Sequence, residues 1–185
     1  GGTPYAGSTR LLPIASGYGT NIYNGSVIAI VGAGTVEIVT DVGNNADQFP
    51  VGVIGVFVGC TYTDPNLGTV VFRNNWPTGT VADDAQAYII DDPDVVFMAQ
   101  ADGAVTQADL GQNTNFAAVQ STTTGDTTNG NSNSAVSSTT ATTATIAFRI
   151  VDFVDSPTST VGDAFTDLLI KFNAGIHSYD RGLGV

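Results

Sequence analysis

The run "SVIAIV" followed by Gly32-Ala33-Gly34 is where phosphate chemistry would begin if this chain bound a dinucleotide. A Rossmann turn needs a further small residue three positions on and then a helix whose N-terminus meets the pyrophosphate. Glu37 holds that position and would set a carboxylate beside a diphosphate. The continuation "TVEIVTDV" alternates and is rich in β-branched residues, so the glycines read as a hairpin turn between two strands. His177 is the only histidine, and a Ser-His-Asp site would have to use it. No Gly-x-Ser-x-Gly nucleophile turn accompanies it, which leaves a surface or interface histidine as the plainer reading. Asp83-Asp84 and Asp91, Asp92 and Asp94 offer hard oxygen ligands. They lack the alternate acids, central Gly and terminal Glu of a calcium loop, and Asp beside Pro is the usual occupant of a β-turn. A glycosidase pair would need an acid raised in an apolar pocket, whereas acids in Asp-Gly and Asp-Pro turns are solvated. Trp76 in "NNWPTGT" is a candidate sugar platform, but its proline neighbour favours a ring that staples a turn to the core. Cys60, the single cysteine, reads as a small buried strand residue and has no partner for a disulfide or a cysteine zinc site. These residues therefore assign no catalytic group, no cofactor and no metal.

The elements that would position such groups are strands. Of 17 acids only Glu37 is a glutamate, and of 5 bases only Lys171 is a lysine, so the strong surface helix formers are nearly excluded. With 22 glycines in 185 residues, the composition predicts an all-β domain. A formal net charge of −12 argues against a nucleic-acid partner, which requires clustered Lys and Arg. No apolar run reaches the ~18 residues of a spanning helix, and no signal layout precedes the first strand, so neither a membrane partner nor secretion is expected.

Strands are expected over Ser26–Ile30, Thr35–Thr40, Gly52–Thr63, Thr69–Phe72, Ala85–Ile90, Val95–Ala99 and Thr114–Val119, then in "TATIAFRIVDFV". "DLLIKFN" (Asp167–Asn173) fits a short helix or a strand, the strand being favoured. Short strands with frequent turns predict a small β-barrel or sandwich. Alternation places Ile28, Ile30, Val53, Phe57, Ile89, Phe97, Ile146, Phe148 and Ile150 in one buried interior. Residues 120–143 are almost free of apolar side chains and read as a long, exposed Ser/Thr-rich surface loop, with a short turn of strand near Ala135-Val136.

Residues 1–24 lack a sustained period yet carry Tyr5, Leu11, Leu12, Ile14, Tyr18 and Tyr23 among glycines and prolines. They are expected to form an extended N-terminal arm on a single β domain of residues 25–185. Such a segment is too rich in anchors for a flexible tail, so it should lie on its own barrel, on a neighbouring subunit or on another protein. Tyr5, Arg10, Leu11, Leu12, Ile14 and Tyr18 are the candidate partner-binding residues.

The stretches "GVFVGCTYTD", "NNWPTGT", "AYIIDDPDVVFMAQADG", "IAFRIVDFVD" and "DLLIKFNAG" resemble small structural proteins of marine tailed bacteriophages that decorate, or cement, the capsid. The likeness spans roughly residues 50–112 and 144–175. It implies a non-enzymatic virion component on the outer capsid surface, bound to the major capsid protein. It also implies a homo-oligomer, with a trimer favoured over a dimer. The alternative is a tail or fibre module that binds a receptor or carbohydrate.

Overall fold

Apolar, β-branched runs build the larger sheet, and a computed structural model describes residues 9–44 and 49–185. Its strands are β1 (Arg10–Pro13), β3 (Val27–Ile30), β4 (Val36–Ile38), β5 (Val53–Thr63), β6 (Val70–Arg73) and β8 (Gln86–Ile90), and a separate two-stranded ribbon pairs β2 (Ile22–Tyr23) with β7 (Asn75–Trp76). The order β1-β8-β5-β3-β4 runs antiparallel, with β6 also pairing the far half of β5. A smaller sheet has the order β10 (Asn113–Thr114), β11 (Phe148–Phe153), β12 (Asp167–Phe172) and β9 (Phe97–Gln100). The Gly-Ala-Gly segment turns β3 into β4 as a hairpin, Ala29 facing Glu37 across the pair. "DLLIKFN" is a strand, buried at alternate positions. The fold is all-β, and its sheets pack as a sandwich rather than closing into a barrel.

The single interior expected from alternation is in fact two, because the larger sheet is covered on both faces. Val53, Phe148 and Ile150 belong to the core between the two sheets, with Phe97 packed on its margin. Ile28, Phe57 and Ile89 point the opposite way into a second core, with Ile30 at its edge. Ile146 is buried but belongs to neither. The β2–β7 ribbon and the irregular chain around it close this second core, chiefly through Ile14, Ile22 and Trp76.

The Ser/Thr-rich segment is the surface loop expected from its composition, anchored at a few points. It has little regular strand and is largely exposed or half-exposed, with Gln120 and Val136 fully buried. Single bridges tie it to Asn24, Ala101, Asn113 and Phe116, and the bridges at Val136 match the strand turn expected there. Short polar side chains satisfy its backbone locally. Asp126 accepts from the Thr128 amide, Asn129 from Asn131, Ser132 from Ser134 and Ser137 from Thr139. Gly125 lies flat on the Tyr23 ring, where an added Cβ would fall 2.3 Å from Cγ.

Candidate functional site

Starting from β1, the candidate arm residues divide by face. Leu12 pairs with Ala87 and packs on the second core, Ile14 is buried within it, and Tyr18 lies against it while its hydroxyl accepts from the Ile38 amide. The Ile14 and Gly17 amides donate to Ala85 and Thr80 carbonyls. From Arg10 onward the expected arm is thus part of the domain, with Ile14 buried in it and Leu12 and Tyr18 half-buried against it. The sequence gives no period here because the segment meets a sheet only in pieces of two to four residues. Tyr5 lies outside the described residues. Leu11 and Arg10 remain at the surface.

Leu11 opens onto an apolar face that runs across the larger sheet. Ala87 and Ile89 fill the second core, so Tyr88 between them points to the opposite side, where Leu11 is its cross-strand neighbour. On β5, Gly59 stands opposite Tyr88 at a bulge and has φ +143. Phe72 of β6 lies over that glycine, 5.6 Å from the Tyr88 ring centroid in an edge-on contact. Val70 projects from the same face two residues earlier. Exposure is 50% at Leu11, 60% at Phe72 and 71% at Val70. The smaller sheet covers this side of the larger one near β3 but leaves these residues open. A sheet face with aromatic and aliphatic side chains left in water is the kind of surface that partners cover.

Two of the five cations alternate with these residues on the same strands, Arg10 opposite Ile89 and Arg73 opposite Cys60, and so point to the second-core side of the sheet. Arg73 pairs with Asp64 at 3.5 Å, and Arg10 pairs with Asp91 at 3.4 Å and also meets the Tyr179 hydroxyl. Asp64 is held below the usual carboxylate range, first by the Asn66 amide and further by Arg73. Asp84 is lowered likewise by the Thr63 hydroxyl and amide.

The residues weighed for catalysis and ligation have other work. His177 is fully buried, its Nε2 donating to the Ile54 carbonyl at 2.8 Å and its Nδ1 accepting from the Tyr179 amide at 3.2 Å. Neither nitrogen faces a substrate, so the surface or interface reading was wrong and the side chain is a core member of the C-terminal turn. Trp76 is fully buried with its indole donating to the Tyr18 carbonyl, and offers no ring face to a sugar. Cys60 is buried, and burial pushes its thiol up to about 12. Asp92 accepts from the Asp94 amide within its own turn, and Asp94 pairs with Lys171. Among the described residues no group of three or more His, Cys, Asp or Glu side chains could hold a metal. No helix among them is long and apolar enough to cross a membrane.

What fold and surface define is a two-sheet β-sandwich with a second core and an open apolar face. No family model, curated protein or solved structure matches the chain.

Proposed function

We propose that this chain is a non-enzymatic structural protein that docks on a protein lattice, and that the lattice is the outer surface of a tailed-phage capsid. The observation that carries docking is the open apolar face formed by Leu11, Tyr88, Phe72 and Val70 on the side of the larger sheet that the smaller sheet leaves uncovered. Aromatic and aliphatic side chains left together in water on one sheet face mark a surface that a protein partner covers. The resemblance to capsid-decorating proteins supplies the major capsid protein as partner, with a homo-oligomer, trimeric rather than dimeric, as the unit that binds. The buried ring of Trp76 speaks against the carbohydrate-binding alternative.

The test is cosedimentation of the purified protein with assembled heads that lack it. Saturable binding is expected, and Phe72→Asp should abolish it while leaving the melting transition near that of the parent. Failure of the parent protein to bind heads overturns the capsid reading. Full binding by Phe72→Asp moves the contact to another face.

A further inference from the structure

The C-terminal turn is anchored by Ile176 in the core and by Arg181 on the Gly175 and Phe49 carbonyls, and on β5 by a histidine whose hydrogen bonds allow only one protonation state. A carbonyl cannot donate, so His177 Nε2 must carry the proton it gives to Ile54; an amide must donate, so Nδ1 must keep its lone pair for Tyr179. A second proton can only go to Nδ1, where it meets the Tyr179 N–H head-on. The ring is also packed between the rings of Phe172 and Tyr179, at 5.6 Å and 4.9 Å, which leaves little space for it to turn away. From this turn the chain reaches across to the first strand: the Tyr179 hydroxyl donates to Asp91 at 2.6 Å, and Arg10 of β1 meets both.

We infer that His177 is an acid-released latch, which holds the C-terminal segment on β5 while neutral and frees that segment, with the Tyr179–Asp91–Arg10 tie to β1, when its Nδ1 is protonated. The charged and titratable groups around it are Asp180, Arg181 and Tyr179 on its own segment, Asp91 and Asp92 after β8, and Arg10 on β1; the strand that carries Ile54 presents no charge there. The three carboxylates favour a charged ring, but burial outweighs them and holds His177 below its ordinary value. The sign follows from linkage. The released histidine, near its ordinary ~6.5, binds protons before the latched one does. The latch is therefore fully formed above that pH and is lost as pH falls through the lower, latched value. Aspartates, with ordinary values near ~3.9, titrate below the start of this window.

Amide hydrogen exchange on the whole protein, corrected for the intrinsic pH dependence of exchange, tests this together with the NMR titration of the His177 ring. Opening of the Tyr179 amide is expected to rise by about tenfold for each pH unit below ~6.5 until the latched value is reached. His177→Gln, which cannot charge, is expected to give protection that does not vary over the same range. Tyr179→Phe is expected to keep the acid release of the C-terminal turn while the Arg10–Leu12 amides cease to follow it. Three results would overturn the inference: a ring that titrates at or above ~6.5, a ring that titrates without loosening the Tyr179 amide, or an unchanged pH response in His177→Gln. The first two are read on the parent protein and hold even if the variant fails to fold. Acid-sensitive β1 amides in Tyr179→Phe would overturn the relay to that strand.

Discussion

The two cores lie on opposite faces of one sheet and are closed by different means. Between the sheets, strand packs on strand, and Phe148 touches Phe49, Phe116 and Phe172 in a cluster of rings 4.9 to 6.4 Å apart. On the other face the described residues form no second sheet of comparable size. Trp76, Tyr18, Ile14 and Ile22 come from a two-residue ribbon and irregular chain, and each is fixed by a polar handle or a backbone bond as well as by packing. The contrast teaches that a sheet face can be sealed without periodicity, provided the irregular chain satisfies its own backbone. Among the described residues no buried side-chain nitrogen or oxygen lacks a partner.

The largest expected effects break one core at a time. Phe148→Ala should cost ~3–5 kcal/mol, since it removes a ring from the centre of a dense cluster. Trp76→Ala should cost a similar ~3–5 kcal/mol and also strand the Tyr18 carbonyl. Urea unfolding followed by fluorescence and by circular dichroism checks both. Because the larger sheet is common to the two cores, each variant is expected to unfold in one transition. A separate early transition in Trp76→Ala would show that the second core is a subdomain and not a part of the same cooperative unit.

The next effect contrasts two kinds of position within residues 120–143. Gln120 Nε2 donates to the carbonyls of Val27 and Val39, and its Oε1 accepts from the Val27 amide, all inside the protein. The side chain caps the end of the β3–β4 ladder, beside the direct bond from the Val39 amide to the Val27 carbonyl. The Val27 carbonyl keeps the Val39 amide as a donor, so removing the side chain leaves two backbone groups without partners, the Val27 amide and the Val39 carbonyl, each worth about 1–3 kcal/mol if nothing replaces the bond. Water reaching the vacated space recovers part, so Gln120→Ala is expected to cost about 2–3 kcal/mol in thermal or urea denaturation. Thr127, exposed at the tip of the same segment, should tolerate Ala within about 0.5 kcal/mol. Equal tolerance at both positions would restore the picture of a dispensable loop.

How far the sequence revealed this depends on period. β8, β11 and β12 were legible because their apolar residues alternate, β3 and β5 because they are continuous apolar, β-branched runs, and the Gly-Ala-Gly hairpin because β-branched residues flank it. What alternation cannot say is which of two interiors a face belongs to. Ile28 and Val53 sit on adjoining strands yet face opposite cores, a relation set by the bulge in the β3–β5 register. The second core was hidden for another reason. Its covering residues arrive singly, and Ile14 looks the same in a string of letters whether it anchors a partner or its own domain. Gln120 carried no local sign at all, since an amide in a polar run is ordinary until a strand edge meets it. The open face was half legible: Phe72 and Val70 fell in an expected strand, but their lack of cover depends on where the smaller sheet ends.

The smallest expected effect sharpens the difference between a covered and an uncovered sheet face. Gly59 has φ +143, a conformation that strains any L side chain, and a Cβ there would come 2.7 Å from Phe72 Cζ and 3.0 Å from the Arg73 carbonyl oxygen. Gly59→Ala therefore combines backbone strain, about 1–3 kcal/mol, with displacement of an aromatic ring. In a packed core that ring would have nowhere to go. On this face Phe72 is mostly in water and can swing outward, so the steric part should be small and recoverable. A double-mutant cycle with Phe72→Ala separates the two contributions: strain persists in the double variant, while the clash disappears. A coupling of about 0.5–1 kcal/mol is expected, with Phe72→Ala alone costing less than about 1 kcal/mol. A coupling several times larger would mean that Phe72 is pinned and that the face is closed in solution, by a second copy or by the chain itself. Repeating the cycle across a range of protein concentrations distinguishes these, because only closure by a second copy depends on concentration.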